Sequence, residues 1–269
     1  AGAVFGTETG FRCVPVPVEE TECAKVVQEL GVHHIILGAA PYVGPLYAAL
    51  PPGGVLARFG VGYDGIDLAQ ATARGLLCTN TPGVLDDSVA EHAMALIAAA
   101  ARHIPRCVEG TRLGAWETGV GIELHDKVLA VIGCGGIGRR LARIAALGYG
   151  MRVVGLRTRC DGNDALKRTY GFEEIYTDFR EAVRTADFVS LHLPSNADTR
   201  HYLDAGRLVA LKPGAWVINT ARGAVLDECA LYDAVASARL GGAALDVFEV
   251  EPYAPADPHR DLRRLANVL

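Results

Sequence analysis

The stretch VLAVIGCGGIGRRLARIAALG, residues 128–148, decides the fold of this chain, because it joins an apolar strand to a helix through a glycine-rich turn. Its glycines have GxGxxG spacing, in which they permit a tight turn, close approach of the backbone to a pyrophosphate, and close helix–strand packing. The helix start offers unpaired N–H groups and a positive dipole end to phosphates. A second apolar strand ends about 20 residues later, so the context indicates more than an incidental turn. The predicted dinucleotide-binding loop consists of Gly133, Gly135, Gly136, Ile137 and Gly138.

The second strand of this unit is followed by arginines rather than by an acid, in the stretch MRVVGLRTRC, residues 151–160. Proteins of this kind that bind NAD place a carboxylate there for the ribose hydroxyls, whereas an arginine pairs with the 2′-phosphate of NADP. Arg157 takes this position, and Thr158 and Arg159 supply further donors. The sequence therefore favours NADP over NAD. The alternative is that these are solvated loop charges beside an NAD site.

Short apolar runs alternate with helix-length segments along almost the whole chain. The runs HHIILG, GVLARFG and LLCTN are separated by single helical segments, and the alternation restarts at KVLAVIG. Single helices between strands are typical of parallel βαβ units. The pattern predicts an α/β protein of two parallel-sheet units, and the glycine loop makes the second of them a doubly wound Rossmann nucleotide domain.

A long helix is predicted to connect the two domains. Ser88 is its expected N-cap, because Glu91 follows three residues later and completes a capping box. We therefore assign residues 1–88 to the first domain, residues 89–102 to the connecting helix and residues 103–269 to the Rossmann domain.

The overall composition excludes several classes of protein. The chain has 269 residues, 50% of them hydrophobic, and a formal net charge of −5, which argues against nucleic-acid binding. No apolar run reaches the length of a membrane span. The seven scattered cysteines, without a CxxC pattern or a visible secretory signal, favour a cytoplasmic protein with reduced thiols. No cluster of His, Cys and acidic residues has metal-ligand spacing, so no metal is expected.

Several stretches together resemble the D-isomer-specific 2-hydroxyacid dehydrogenase family. They occur in the family's order, from about Gly31 to the C-terminus, as RFGVGYDGID, NTPGVLDDSVAEHAMAL, VIGCGGIG, LHLPSNADT, INTARGAVLDE and LDVFEVEP. The resemblance implies hydride transfer between a nicotinamide cofactor and C2 of a small 2-oxo or 2-hydroxy acid. It also implies that the first domain is doubly wound and flavodoxin-like and binds the substrate. Glyoxylate or hydroxypyruvate reduction fits the arginine-bearing loop, while phosphoglycerate and lactate-like acids remain open.

The same resemblance implies which residues carry the reaction. Arg222, in the TARG turn, matches the arginine that anchors the substrate carboxylate and polarises its ketone. Val61 and Gly62, in the GVG turn, match the loop whose backbone N–H groups hold that carboxylate. Glu251, in DVFEVEP, matches the catalytic acid that orients a histidine and raises its basicity. The neighbouring Glu249 fits the motif less well and is interpreted as a solvated side chain.

On the cofactor side, the resemblance implies two further groups of contacts. His192 and Pro194 match the family's loop near the adenosine half of the cofactor. Thr220, Ala221 and Asp246 match positions that line the nicotinamide.

A homodimer is expected from one further stretch. The segment around Trp116 resembles the arm with which family members pair their subunits. The alternative is that Trp116 is a core residue.

The family's proton-donating histidine is not matched in the chain. It lies in a Pro-His stretch after a strand similar to NVL, whereas the chain ends at Leu269. His259 precedes that strand in a proline-rich loop and is interpreted as a surface residue, and the helix signature explains His92. We therefore expect the natural protein to continue past Leu269 with this segment.

Two other functions use the same scaffold. A nucleotide-sensing corepressor needs only the dinucleotide site, so the presence of both Arg222 and Glu251 favours an enzyme. A formate dehydrogenase would carry additional substrate side chains near the GVG turn, and the sequence gives no sign of them.

Overall fold

The computed structural model describes residues 13–116, 119–159 and 161–269. The chain divides into two compact units, Ala1–Val84 and Leu85–Leu269. Each unit contains a parallel β-sheet with helices around it, which confirms the predicted α/β class. The division falls before the long helix, so this helix belongs to the second unit.

The first unit is built around a three-stranded parallel sheet with the order β1-β2-β3. Helix α3 begins where the Asp67 side chain accepts a hydrogen bond from the backbone N–H of Gln70. Tyr47 and Leu56 are fully buried in its core. The described strands do not test the predicted flavodoxin-like order, which stays a prediction. In chain order the elements are α1 (Glu20–Glu29), β1 (His34–Leu37), α2 (Leu46–Ala49), β2 (Val55–Arg58), α3 (Leu68–Ala73) and β3 (Leu77–Thr79).

The second unit contains a six-stranded parallel sheet and the remaining helices. Its first elements are α4 (Asp86–Ala101), α5 (Ile104–Arg112), β4 (Val128–Ile132), α6 (Gly136–Tyr149), β5 (Arg152–Leu156), α7 (Asn163–Tyr170) and β6 (Phe172–Tyr176). They are followed by α8 (Phe179–Val183), β7 (Phe188–Leu191), α9 (Ala205–Ala210), β8 (Trp216–Asn219), a 3-10 helix (Gly223–Val225), α10 (Glu228–Ala236), β9 (Gly242–Leu245) and a second 3-10 helix (Leu262–Arg264).

The strand order of this sheet is β6-β5-β4-β7-β8-β9. Numbered within the unit this is 3-2-1-4-5-6, the order of a Rossmann fold, which confirms the prediction for this unit. Strands β5 and β6 lie on one side of β4, and β7 to β9 lie on the other side. The strand order therefore reverses between β4 and β7, where Ile132 pairs with Leu191. Ligands of such sheets bind outside the carboxyl ends of the strands at this point. Strand β4 is buried along its whole length, so both of its faces are covered.

Helix α4 begins three residues earlier than the sequence analysis predicted, at Asp86 instead of residue 89. Its N-cap is Leu85, which makes no side-chain cap hydrogen bond, and Ser88 lies inside the first turn. The predicted capping box at Ser88 is therefore wrong. The carboxylates of Asp86 and Asp87 lie in the first turn instead, where they complement the positive end of the helix dipole.

Within the described ranges, no helix is both long enough and apolar enough to cross a membrane. The same part of the chain contains no group of three His, Cys or acidic side chains arranged to hold a metal ion.

Candidate active site

The glycine loop lies between the end of β4 and the start of α6, as the sequence predicts. Gly133 has φ 105°, a conformation that favours glycine, and a Cβ atom there would lie 2.5 Å from the backbone oxygen of His192. At Gly138 a Cβ atom would lie 2.2 Å from the oxygen of Gly133. Close packing of the backbone is sufficient to require glycine at both positions. They bring α6 close to β4 and the loop after β7 close to the glycine turn.

Gly135 differs from its neighbours, because its Cβ position faces open space. Apart from its chain neighbours, no described residue has an atom within 4 Å of that position, and Gly135 has an ordinary φ of −75° as the N-cap of α6. No side chain caps the start of this helix. The opening beside Gly135 therefore has the positive end of a helix dipole and room for an anionic group.

Two side chains not predicted from the sequence lie at this loop. The Asp86 carboxylate lies 2.0 Å from where a Cβ atom of Gly136 would be, so a side chain at that position would displace the carboxylate. Cys134 is itself part of the loop, between Gly133 and Gly135. Its thiol is buried, and burial raises the pKa of the thiol to about 11. Cys134 therefore stays neutral and packs as a small apolar residue.

The loop that follows β5 carries the arginines that the sequence analysis assigned to a 2′-phosphate. Arg157 lies directly after β5, and its Nη1 donates to the backbone oxygen of Asp161 at 3.1 Å and to Oδ1 of Asn163 at 3.4 Å. These bonds hold the guanidinium against the start of α7. Thr158 and Arg159 are exposed beside it.

The loop after β7 contains the predicted His192 and Pro194. Burial lowers the pKa of His192 to about 4, so the ring is neutral at physiological pH. Its Nε2 lies 2.9 Å from the hydroxyl oxygen of Ser190, a fully buried residue of β7. The backbone oxygen of Pro194 accepts a hydrogen bond from the Thr199 hydroxyl. The loop is thus fixed by its own polar groups.

Thr220, Ala221 and Arg222 form a turn at the carboxyl end of β8, and Asn219 holds this turn. The Asn219 side chain accepts from the N–H of Ala221 at 3.0 Å and donates to the backbone oxygen of Arg222 at 3.0 Å. Asn219 is fully buried. It is a positioning residue that the sequence analysis did not single out, although an asparagine before a TARG turn is a recognisable signal.

The hydroxyl oxygen of Thr220 is buried and has no hydrogen-bond partner in the described part of the chain. A buried polar atom without a partner is costly, so its partner is expected to be a bound group. Thr220 is one of the residues that the sequence analysis placed against the nicotinamide. Together with the open position at Gly135, this orphaned hydroxyl indicates that the second unit fits a dinucleotide.

Asp246 follows β9 beside the same turn. Its N–H donates to the backbone oxygen of Asn219 at 3.0 Å, and its Oδ1 lies 3.2 Å from Nε2 of His92 in α4. The histidine that the helix signature explained in the sequence therefore also contacts a predicted nicotinamide residue.

The two glutamates of the segment FEVEP lie in different surroundings, and the sequence analysis described those of Glu249 incorrectly. Glu251 is exposed, and its Oε1 accepts a hydrogen bond from the N–H of Phe248 at 3.0 Å. Glu249 was interpreted as solvated, and this is wrong. Its side chain is only 24% exposed and pairs with both Arg200 and His201.

In the first unit, Val61 and Gly62 lie in a loop in which three successive carbonyl groups accept hydrogen bonds from the protein. The oxygens of Gly60, Val61 and Gly62 accept hydrogen bonds from the N–H of Thr81, from Nδ2 of Asn80 and from Nε of Arg58, respectively. Because a trans peptide is planar, each N–H group points away from the carbonyl of the preceding residue. The bonds to Gly60 and Val61 therefore fix the directions of the N–H groups of Val61 and Gly62.

Trp116 is a surface residue, because its side chain is 88% exposed. The alternative that it belongs to the core is excluded. Leu113 and Val120 are exposed to 79% and 96%, so apolar side chains cluster along this segment of the chain.

Comparison with known proteins identifies the family. Residues 94–269 match the family model described as D-isomer specific 2-hydroxyacid dehydrogenase, NAD binding domain. The hydroxypyruvate reductase of Thermotoga maritima is 37% identical over 255 residues, which cover 94% of this chain and 80% of that protein.

Two solved structures of reductases and dehydrogenases are also similar to this chain. An NADPH-dependent glyoxylate/hydroxypyruvate reductase of Sinorhizobium meliloti, in complex with NADP and malonate, has a TM-score of 0.76 and 31% identity. The match covers 88% of this chain and 72% of that one. The D-lactate dehydrogenase of Aquifex aeolicus, with NAD and lactic acid, has a TM-score of 0.80 and 28% identity and covers 91% and 76%.

One of these two solved structures contains NADP and the other contains NAD, so the comparisons leave the cofactor preference of this chain open. The relatives are reductases and dehydrogenases, and they give no support to the alternative of a nucleotide-sensing corepressor. On its sequence, its strand order and its relatives, this chain belongs to the D-isomer specific 2-hydroxyacid dehydrogenase family, whose members are NAD(P)-dependent oxidoreductases.

Proposed function

We propose that this protein reduces a small, unphosphorylated 2-oxo acid, of the size of glyoxylate or hydroxypyruvate, with NADPH. The observation that carries the proposal is the turn after β8, where Asn219 holds the backbone oxygen of Arg222, two residues after Thr220, whose buried hydroxyl has no hydrogen-bond partner among the described residues. One turn thus supplies a guanidinium for a 2-oxo acid and a polar contact for a cofactor.

The chain's own residues bind and orient the reactants in this proposal. Arg222 pairs with the substrate carboxylate and polarises the ketone through its fixed guanidinium donors. The N–H groups of Val61 and Gly62 also bind the carboxylate. Thr220, Ala221 and Asp246 orient the nicotinamide ring, and the cofactor supplies the hydride that is transferred to C2.

Glu251 has a separate task in the proposal. As a carboxylate it would orient a histidine partner and raise that partner's basicity. Such a pair moves the proton to or from the substrate oxygen.

The charges of the first unit support an unphosphorylated substrate. Between Gly38 and Leu68 the only cationic side chain is Arg58, and its Nε is committed to the backbone oxygen of Gly62. A phosphate group is usually held by several arginine, lysine or backbone donors. Glyoxylate and hydroxypyruvate carry no charge beyond the carboxylate.

Turnover with three acids tests this proposal. Protein expressed from the complete reading frame is mixed with NADPH and with glyoxylate, hydroxypyruvate or phosphohydroxypyruvate, and NADPH consumption is followed. The proposal requires kcat/KM for at least one unphosphorylated acid to exceed that for the phosphorylated acid. The reverse order would assign a phosphoglycerate-type substrate, and no turnover with any acid would overturn the proposal.

We also propose that Arg157 selects NADP by pairing with the 2′-phosphate. Substituting Arg157→Ala is expected to weaken NADPH binding at least about tenfold and to leave NADH binding within about twofold, because a charge-assisted hydrogen bond contributes about 1.5–3 kcal/mol. Parallel fluorescence titrations with both cofactors measure this. The exposed Arg168 of α7 offers a matched control, Arg168→Ala. Equal affinities of the unchanged protein for NADPH and NADH would show that Arg157 reads no phosphate.

A homodimer is proposed from the exposed apolar segment around Trp116. Leu113, Trp116 and Val120 are large apolar side chains that are all strongly exposed within eight residues of the chain. Large exposed apolar surface marks an interaction site, and a second copy is the partner implied by the family resemblance. Light scattering is expected to give the mass of a dimer for the unchanged protein and of a monomer for Trp116→Asp. A monomeric unchanged protein would contradict this.

We retain the cytoplasm as the proposed location. Cys13, Cys23, Cys78, Cys107, Cys134 and Cys229 are free thiols, as is usual in a reducing compartment. Fractionation of the source cells tests this, and recovery outside the cytoplasmic fraction would contradict it.

A further inference from the structure

We propose that Glu249, His201, Arg200 and Glu228 form a positioning network that fixes the segment Phe248–Glu251 against the turn that carries Arg222. The network would set the place of the Glu251 carboxylate relative to the Arg222 guanidinium. This inference rests on the proposed function, because it assigns the network a role in the reaction of these two residues.

The Glu249 carboxylate is held at both oxygens. Its Oε1 lies 2.5 Å from Nη2 of Arg200, and its Oε2 lies 3.0 Å from Nε2 of His201. Burial acts to raise the pKa of Glu249, but the hydrogen bonds from His201 and Arg200 outweigh burial and lower that pKa below its usual value. Glu249 is therefore an ionised anchor rather than a solvated surface group.

His201 joins this anchor to the Arg222 turn. Its backbone N–H donates at 2.7 Å to the oxygen of Ala224, in the 3-10 helix that directly follows Arg222. Its ring meanwhile binds Glu249. The residue has φ 48°, in the left-handed region that residues other than glycine rarely adopt, and such strain persists only where surrounding contacts enforce it.

Glu228 holds the same segment through its backbone. It is the first residue of α10 and only 8% exposed, and its Oε1 accepts from the N–H of Glu249 at 2.7 Å. Burial raises the pKa of Glu228 despite this hydrogen bond. The Glu228 carboxyl group is thus buried and binds the backbone N–H of Glu249.

Direct packing joins the segment to the turn as well. A Cβ atom at Gly223 would lie 1.8 Å from the carbonyl carbon of Phe248 and 2.2 Å from the nitrogen of Glu249. The residue after Arg222 therefore touches the peptide that precedes Glu249, and only glycine permits this approach.

Three kinds of contact therefore fix this segment: ion pairs of the Glu249 side chain, the hydrogen bond of the Glu249 N–H, and packing against Gly223. All of them lie within three residues of Glu251. In reactions that depend on positioned groups, a displacement of about 1 Å can lower the rate about 100-fold. Glu251 itself is exposed and accepts the N–H of Phe248, a residue of the same segment. The place of its carboxylate therefore depends on the segment that the network fixes.

The variant His201→Gly tests the network without endangering the fold. Glycine adopts a positive φ more readily than histidine, so this change removes the ring but relieves the backbone. The expected result is a kcat about 10-fold to 100-fold lower, with the Kd for NADPH within about twofold. Ala238→Gly is the matched control, because Ala238 is exposed and has φ 56°; its kcat should not change.

A double-mutant cycle separates positioning from general stability. Glu249→Gln is expected to lower kcat in the unchanged protein but to add less than about twofold when Glu251→Gln is already present, because the network acts through Glu251. A further loss equal to that in the unchanged protein would overturn the proposal, as would an unaffected kcat in His201→Gly. If the unchanged protein turns over no 2-oxo acid, the proposed function itself is overturned, and this inference with it.

Discussion

The variant Gly135→Val is expected to lose dinucleotide binding while it keeps its fold. The Cβ position of Gly135 faces open space and its backbone angles suit any residue, so the fold accepts the added atoms. The same atoms would occupy the space that the pyrophosphate needs beside the start of α6. Two lost charge-assisted hydrogen bonds, at about 1.5–3 kcal/mol each, correspond to a Kd for NADPH at least about 100-fold higher.

The control for this experiment lies at the other end of the same helix. Gly148 is exposed and its Cβ position is also open, so Gly148→Val makes the same chemical change away from the site. Its Kd for NADPH should equal that of the unchanged protein. Thermal unfolding shows whether Gly135→Val stays folded, with a loss of about 1 kcal/mol expected from the poorer N-cap. A folded Gly135→Val protein with unchanged affinity would refute the phosphate site.

Replacement of Arg222 is expected to have the largest effect on turnover. Arg222→Gln should lower kcat/KM for a 2-oxo acid about 1,000-fold or more, because in the proposed mechanism Arg222 anchors the carboxylate and polarises the ketone. The Kd for NADPH should stay within about twofold. Asn219 holds the turn through backbone atoms of Ala221 and Arg222, so the turn survives the change of side chain.

Two further variants sharpen the test of Arg222. Arg222→Lys keeps the charge but not the planar fork, and we expect it to remain at least about 100-fold below the unchanged protein. Arg184→Gln, an exposed position at the end of α8, controls for the loss of one positive charge. A kcat/KM of Arg222→Gln within tenfold of the original would remove Arg222 from the proposed mechanism.

The features predictable from the sequence are those that depend on local pattern. The glycine spacing in VIGCGGIG predicts the loop and its helix because close packing of the backbone requires glycine at Gly133 and Gly138. The alternation of apolar runs with single helices predicts the parallel sheet and its Rossmann order. Local chemistry was sufficient in these places.

Other features depend on contacts between distant parts of the chain. Glu249 lies 48 residues from His201, so nothing near either residue indicates their hydrogen bond. The start of α4 was misplaced because Ser88 and Glu91 satisfy a capping pattern, while the Asp pair before them also favours a helix start. The sequence analysis also did not identify α7 and β6, Asn163–Tyr176, where no strong apolar period precedes the strand.

The exposed Trp116 shows the limit of residue type as a guide. A tryptophan in a soluble chain fits either a core or an interface, and only its 88% exposure decides between them. Thr220 is the opposite case, because a threonine in a turn is unremarkable until its hydroxyl proves to be buried with no partner in residues 13–116, 119–159 and 161–269.

The most direct test of the central claim is the reduction of hydroxypyruvate by NADPH, with the handedness of the product determined by chiral chromatography. Protein expressed from the complete reading frame is expected to consume NADPH and to form D-glycerate, as a D-isomer specific dehydrogenase must. Formation of L-glycerate, or binding of NADPH without consumption in the presence of hydroxypyruvate or glyoxylate, would contradict the account.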